Sequence, residues 1–230
     1  MRKTKIVCTL GPATDDDEVL LGIMKSGMNV ARFNFSHGTH QEHKKRLDKL
    51  TKFREELGLP IAALLDTKGP EVRVRDFENN HVTLENGNTF TLTTRELMGT
   101  SSIASVTYKG LPKDVNVGTR ILIDDGLIEL KVIDINDTDV VCEVICGGEV
   151  SNHKGVNIPN VDLSMPYINE VDRSDIIFGI EQGFDFIAAS FVRCADDILS
   201  IRKILEEFNC RNIKIISKIE NMQGVANIDE

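Results

Sequence analysis

Polar residues occupy alternate positions in the string MNVARFNFSHG, which covers positions 28–38. Side chains of an extended strand point alternately to its two faces. Arg32, Asn34 and Ser36 are therefore predicted to share one face, and the two phenylalanines between them the opposite, buried face. A cation beside amide and hydroxyl oxygens is typical of a site for an anion, with or without a metal ion.

The string SKIEN at 217–221 repeats this feature with two charges. In an extended strand Lys218 and Glu220 would lie side by side on one face. Charged groups in an otherwise apolar strand cost free energy unless they are compensated. An anionic ligand together with a metal ion would supply that compensation.

A third string, LLDTKGPEVR at 64–73, ends an apolar segment with oxygen-bearing side chains. Asp66 and Thr67 offer the oxygen ligands that hard cations prefer. Arg73 follows just beyond a Gly-Pro pair, which predicts that the chain leaves the strand there.

Apolar strands alternate with amphipathic helices at both ends of the chain, which predicts a parallel sheet with right-handed crossovers. The predicted strands are Thr4–Leu10, Asn29–Phe35, Ile61–Asp66, Phe184–Val192 and Ile213–Glu220. The predicted helices are Asp15–Lys25, Thr39–Leu57, Asp172–Gln182 (capped by Asp172) and Asp196–Phe208.

The middle of the chain has a different pattern, because short β-type segments are separated by turn signals such as Asn86-Gly87 and Asp125-Gly126. This indicates a small all-β barrel or sandwich inserted after the third strand. The predicted domains are 1–69 and 167–230, which form one α/β domain, and 70–166, a β-barrel lid. Five βα units are five of the eight in a (β/α)8 barrel of the TIM type. We therefore expect a partial barrel that is the N-terminal portion of a longer protein.

The net charge of −9 over 230 residues argues against nucleic acid polymers and anionic membranes as partners. No apolar segment is long enough for a signal peptide or a membrane span. The five cysteines form no CxxC pair, which predicts buried, reduced thiols and a cytoplasmic protein.

Together with GVNIP at 155–159, these strings closely resemble the pyruvate kinase family, in the right order from Lys3 to Glu230. The resemblance implies a barrel with a β domain inserted after strand three. It implies an enzyme that moves a phosphoryl group from phosphoenolpyruvate to ADP, giving pyruvate and ATP. It also implies Mg²⁺ (or Mn²⁺) and K⁺ as cofactors, and a homotetramer for the full-length protein.

The resemblance also implies roles for individual residues. Arg32 and Lys218 would bind substrate, with Lys218 stabilising the migrating phosphoryl group. Glu220 would bind magnesium. Potassium would be held by Asn34, Ser36, Asp66 and Thr67. The nucleotide would be contacted by Asn34, Ser36, His37, Arg73 and Lys154.

Other interpretations of the same residues stay open at this point. Arg32 could form a structural ion pair with Asp66, and Lys218 one with Glu220; His37 and Lys154 could be ordinary loop residues. An aldolase or lyase acting on pyruvate enolates would use Lys218 as a Schiff-base nucleophile. A catalytically inactive, anion-binding fragment is the third hypothesis. A P-loop is excluded, because the sequence contains no GxxxxGK[ST] string.

Overall fold

The computed structural model describes residues 3–230 and divides into two units. The parallel unit comprises the chain up to Pro70 together with Tyr167–Glu230, and the inserted unit is Glu71–Pro166. The chain begins with three strands and two helices: β1 (Val7–Leu10), α1 (Asp17–Lys25), β2 (Val30–Asn34), α2 (His40–Leu57) and β3 (Ala62–Asp66). A short 3-10 turn, Pro12–Thr14, precedes α1.

The inserted unit follows, and nearly all of its regular structure is strand. Its elements are β4 (Val72–Arg73), β5 (His81–Leu84), β6 (Thr89–Thr93), β7 (Ile103–Ser105), α3 (Leu111–Asp114), β8 (Arg120–Ile123), β9 (Ile128–Ile135), β10 (Asp139–Cys146), β11 (Gly148–Ser151) and β12 (Gly155–Asn157). The chain then returns to the parallel unit through α4 (Glu170–Glu181), β13 (Phe186–Ala189), α5 (Ala195–Glu207), β14 (Lys214–Ser217) and α6 (Met222–Ala226).

Five parallel strands form the sheet of the parallel unit, in the order β1-β2-β3-β13-β14. The three central strands are short and mostly buried, as expected for a parallel sheet, whereas the edge strands β1 and β14 are largely exposed. Helix α2 begins with a capping box in which Thr39 and Glu42 satisfy each other's backbone N–H groups, and it ends at Gly58 in a left-handed conformation. These features confirm the predicted α/β class and the partial barrel.

The inserted unit contains a seven-stranded sheet in the order β4-β12-β8-β9-β10-β6-β7 and a separate pair, β11-β5. Its first and last strands meet, because the Arg75 N–H donates to the Ser105 carbonyl and the Thr107 N–H to the Arg73 carbonyl, both at 2.9 Å. The sheet is thus closed into a small barrel around an apolar core. Turn-rich spacing in the sequence therefore predicted the β architecture correctly.

Several predicted element bounds are wrong, because the strands are shorter than their apolar segments. β13 ends at Ala189 instead of Val192, and β14 ends at Ser217 instead of Glu220. Helix α4 begins earlier than predicted: its N-cap is Asn169, whose side chain accepts the Asp172 N–H. Asp172 lies inside the first turn and is fully buried.

All five cysteines are free thiols, as predicted. The prediction that they are buried holds only for Cys142, whereas Cys146 is exposed and the other three are partly exposed. No helix within residues 3–230 combines the length and the apolar character needed to cross a membrane.

Candidate active site

The carboxyl ends of the parallel strands bring the candidate residues to one edge of the sheet. Asn34 on β2 is level with Asp66 on β3, and Asp66 is level with Ala188 on β13. Ala189 is level with Ser217 on β14, so the residues that follow each strand are neighbours. In α/β barrels this is the edge that carries active sites.

Arg32 and Asp66 form the centre of the cluster. The Arg32 Nε donates to Asp66 Oδ2 at 2.6 Å, and a second guanidinium nitrogen lies 2.5 Å from the same oxygen. The other terminal nitrogen donates to Thr9 Oγ1 on β1 at 2.8 Å. These contacts use about three of the five N–H donors of a guanidinium, so about two stay available to a ligand. The Asp66 side chain is almost completely buried, whereas a third of the Arg32 side chain is exposed.

Lys218 lies on the other side of the same carboxylate. Its ammonium donates to Asp66 Oδ1 at 2.9 Å and to Ser190 Oγ at 2.8 Å. Glu220 Oε1 is 3.5 Å from it. The predicted strand alternation is wrong for Lys218 and Glu220, since both follow the end of β14 at Ser217. Their proximity comes from the conformation of the segment after the strand.

Glu220 is held by the backbone that follows β13. Its Oε2 accepts the Phe191 N–H at 3.0 Å. Phe191 has φ +54°, the left-handed region that non-glycine residues rarely adopt. The amide that binds the carboxylate therefore belongs to a residue in a strained conformation.

Oxygen atoms of Asn34, Ser36 and Thr67 surround the same edge. Asn34 Oδ1 accepts the Ser36 N–H at 3.1 Å, and the Phe35 N–H donates to the Asp66 carbonyl at 3.0 Å. The Thr67 carbonyl accepts the Ser190 hydroxyl at 2.5 Å.

The donors at this edge fit hard cations, because they are all oxygen and include the two carboxylates of Asp66 and Glu220. Within residues 3–230 no three acidic, imidazole or thiol side chains converge as a metal-binding cluster, so the donor set is a mixed one. Arg32 and Lys218 donate to about three of the four acceptor positions of Asp66. Ser190 Oγ lies 3.3 Å from Asp66 Oδ1, but its single proton goes to the nearer Thr67 carbonyl, so about one acceptor position of this carboxylate is open to a cation.

The aromatic back of β2 is buried, as predicted. Phe33 packs edge-to-face against Phe184 at 5.1 Å between ring centroids. Phe35 stacks on His43 of α2 at 4.2 Å. This packing fixes β2 in the orientation that turns Arg32 and Asn34 to the polar side.

The remaining candidates lie apart from this cluster or in the other unit. His37 is exposed, and its carbonyl is 2.9 Å from His43 Nε2 in α2. Arg73 and Lys154 are close to each other in the inserted unit: the Val74 N–H donates to the Lys154 carbonyl at 3.0 Å. Arg73 pairs with Glu71 at 2.7 Å and Lys154 pairs with Asp124 at 2.9 Å.

Sequence analysis missed Thr9, Ser190 and Phe191. Ser190 is the first polar residue after the apolar strand Phe186–Ala189, the same signal that drew attention to Asp66. Thr9 lies between two apolar residues, and nothing in the sequence around it indicates a functional site. The role of Phe191 depends on a backbone conformation that an aromatic residue does not suggest.

A buried carboxylate supports the start of the inserted segment. Asp172 Oδ1 accepts the Gly69 N–H at 3.2 Å. Burial raises the pKa of Asp172 to about 6, and the neighbouring charge of Asp175 acts in the same direction. Gly69 has φ +70°, and a Cβ there would lie 2.7 Å from the Ser190 carbonyl oxygen, so only glycine fits.

Fold and site together define a TIM-type α/β barrel protein with paired cations and oxygen donors at the carboxyl edge of its sheet. The family model described as pyruvate kinase, barrel domain, matches residues 1–230, and the chain therefore belongs to the pyruvate kinase family.

Curated relatives support this assignment. The chain is 51% identical to the pyruvate kinase of Staphylococcus haemolyticus, over the whole chain and 40% of that protein. It is 51% identical to the pyruvate kinase of Geobacillus stearothermophilus, over 39% of that protein, and 47% identical to that of Clostridium perfringens, over 49%. The chain thus spans about 40 to 50% of the length of these relatives.

Proposed function

We propose that the chain supplies the phosphoryl-transfer site of an enzyme that converts phosphoenolpyruvate and ADP to pyruvate and ATP. In this reaction the bond between the phosphorus and the enol oxygen breaks, and a new bond forms to the terminal phosphate oxygen of ADP. The enolate then takes up a proton and becomes pyruvate. The observation that carries the proposal is the convergence of Arg32 and Lys218 on the buried carboxylate of Asp66.

Phosphoryl transfer requires positioning and charge neutralisation more than covalent chemistry, because charge is spread over the equatorial phosphate oxygens in the transition state. We assign substrate phosphate binding to the free N–H groups of Arg32, since a guanidinium can bind two phosphate oxygens at once. Lys218 has about one N–H left after its contacts with Asp66 and Ser190, which we assign to the migrating phosphoryl group. Asp66 holds both cations in place and limits their repulsion.

Cations complete the proposed site. Glu220 would hold Mg²⁺ (or Mn²⁺). Asn34, Ser36, Asp66 and the Thr67 carbonyl would hold K⁺. When bound, these ions neutralise phosphate charge. The all-oxygen donor set at the strand ends supports this assignment.

Nucleotide contacts are proposed for Asn34, Ser36, His37, Arg73 and Lys154. The support differs among them. Arg73 on β4 is level with Gly155 of β12, the residue that follows Lys154, whereas His37 is supported only by the family resemblance. A cytoplasmic location and a homotetramer are likewise predictions from that resemblance.

The contacts of Lys218 argue against the aldolase hypothesis. A Schiff-base lysine must react as a neutral amine. Lys218 instead is engaged by two carboxylates: it donates to that of Asp66 at 2.9 Å, and that of Glu220 lies 3.5 Å away.

Replacing Lys218 by methionine tests the proposal in the full-length protein. We expect Lys218→Met to lower kcat by about 10³-fold or more, the scale for a cation that stabilises the transition state. The KM for phosphoenolpyruvate should change little, because Arg32 is retained. The measurement is pyruvate formation from phosphoenolpyruvate and ADP with Mg²⁺ and K⁺ present.

Lys214→Met is the matched control, since Lys214 is exposed at the start of β14, the strand that precedes Lys218. It should leave kcat unchanged. Near-normal turnover by Lys218→Met would reject the assigned role, and no turnover by the parent protein would reject the proposed function itself.

A further inference from the structure

We infer that Ser190 is a positioning residue that orients the Lys218 ammonium and connects it to the Thr67 carbonyl. The inference rests on the proposed function. Ser190 lies at the carboxyl end of β13, between the strand that carries Asp66 and the strand that precedes Lys218. Its side chain contacts three of the candidate residues: Asp66, Thr67 and Lys218.

The directions of these hydrogen bonds follow from the number of protons available. An ammonium can only donate, so Ser190 Oγ accepts from Lys218 at 2.8 Å. A serine hydroxyl has a single proton. It lies 2.5 Å from the Thr67 carbonyl oxygen and 3.3 Å from Asp66 Oδ1, so the proton goes to Thr67. The result is a directed chain from Lys218 through Ser190 to Thr67, in which each bond strengthens the next.

The backbone of Ser190 is fixed on both sides. Its N–H donates to Thr67 Oγ1 at 3.1 Å, and its carbonyl accepts the Tyr167 hydroxyl at 3.0 Å. The carbonyl also packs against Gly69, where no side chain fits. Ser190 is 2% exposed, so water cannot readily replace its hydroxyl. The hydroxyl therefore occupies one defined position.

This fixed hydroxyl matters because a lysine side chain is flexible and its ammonium has no preferred direction. Asp66 and Ser190 together hold two N–H groups of Lys218 and thereby direct the third. Without Ser190, Lys218 keeps its ion pair with Asp66 but loses this orientation. Arg32 has no contact with Ser190 among its described hydrogen bonds, so ground-state phosphate binding should persist.

The test compares Ser190→Ala with Ser200→Ala in the full-length protein. Ser200 is an exposed serine of α5 that bonds only to its own helix, at the Asp196 carbonyl. We expect Ser190→Ala to lower kcat about 10- to 100-fold, the scale of a misoriented catalytic group, and to change the KM for phosphoenolpyruvate less than about threefold. Its melting temperature should stay close to that of Ser200→Ala, which should retain parental kinetics.

A kcat for Ser190→Ala within twofold of the parent would overturn the inference, and so would an effect that is confined to KM. If Ser190→Ala does not fold, Ser190→Cys decides, because a thiol fills similar space but is a weak hydrogen-bond partner. The same fall in kcat is then expected. Lys218→Met is measured in parallel: an inactive Lys218→Met with a parent-like Ser190→Ala rejects only this inference.

Discussion

The two units differ in whether their charged side chains are buried or at the surface. All the buried aspartate and histidine side chains found within residues 3–230 belong to the parallel unit, and no glutamate, lysine or arginine is buried in that part of the chain: the five are His43, Asp66, Asp172, Asp175 and Asp197. The buried polar residues of the inserted unit are Thr93 and Ser105. Its ion pairs, such as Arg120–Glu129, are at the surface, where salt and water weaken them.

This difference reflects how each sheet is stabilised. The inserted unit closes its sheet and fills it with apolar side chains, so packing supplies its stability. The parallel unit buries carboxylates at the end of β3 (Asp66) and in helices α4 (Asp172, Asp175) and α5 (Asp197), where each needs a cation, an amide or a proton to offset desolvation. We conclude that the inserted unit depends mainly on packing, and the edge of the parallel unit on charge compensation.

The largest effect on stability is expected from the core of the inserted unit. Phe90→Ala removes a fully buried ring from β6 and should lower the free energy of unfolding by about 4 kcal/mol. Urea unfolding followed by circular dichroism measures the change. Leu127→Ala, at a side chain that is 67% exposed, is the control and should have little effect. Similar losses in both variants would mean that the core does not dominate this unit.

A somewhat smaller effect is expected from the central carboxylate of the parallel unit. Asp66→Asn removes the carboxylate between the cations of Arg32 and Lys218 and leaves Glu220, 3.5 Å from Lys218, as the nearest negative charge. It should cost about 3 kcal/mol of unfolding free energy, with partial exposure of both cations limiting the loss. Removing a surface partner by Arg120→Ala should lower the free energy of unfolding far less, because water and salt weaken an exposed pair. Equal losses of unfolding free energy in the two variants would show that burial does not distinguish the two kinds of ion pair.

The smallest effect is expected from Asp172 and depends on pH. Its pKa is raised from 3.8 to about 6 in the folded protein, so the folded state binds a proton between these pH values that the unfolded state does not. The contribution of Asp172 to stability is therefore present below about pH 4 and is lost as the pH rises through 6. The shift corresponds to roughly 2–3 kcal/mol.

Asp172→Asn removes this titration while keeping an oxygen for the Gly69 N–H. Melting temperatures measured from pH 4 to 7 should therefore fall less with rising pH in Asp172→Asn than in the parent protein. Asp162→Asn, at an exposed position of the inserted unit, should leave the parental pH profile intact. A profile for Asp172→Asn that parallels the parent would contradict a titration of Asp172 in this range.

Sequence patterns predicted the topology and the polar edge because both depend on local order along the chain. An apolar segment followed by a polar residue identified Asp66 without any coordinates. Strand ends were misplaced at Lys218 and Glu220, because the backbone leaves the sheet at Ser217 even though the apolar pattern continues. The cap of α4 was misassigned, because Asn169 takes that role three residues before Asp172.

The contacts of Ser190 and Phe191 could not be predicted in the same way. Ser190 has an ordinary sequence context, and its importance comes from a lysine 28 residues later in the chain. Phe191 has a left-handed backbone conformation, although an aromatic residue prefers negative φ angles. In this conformation the Phe191 N–H donates to Glu220. Both features depend on tertiary contacts between segments that are distant in sequence.

The left-handed residue after β13 has a consequence for how the site can vary. Consecutive groups there, the Ser190 hydroxyl and the Phe191 amide, bind Lys218 and Glu220 respectively. One dipeptide thus acts as a template for the spacing between a positive and a negative functional group. A substitution that relaxes the left-handed backbone at Phe191 would therefore move Lys218 and Glu220 together. The distance between these two side chains cannot change through one of them alone.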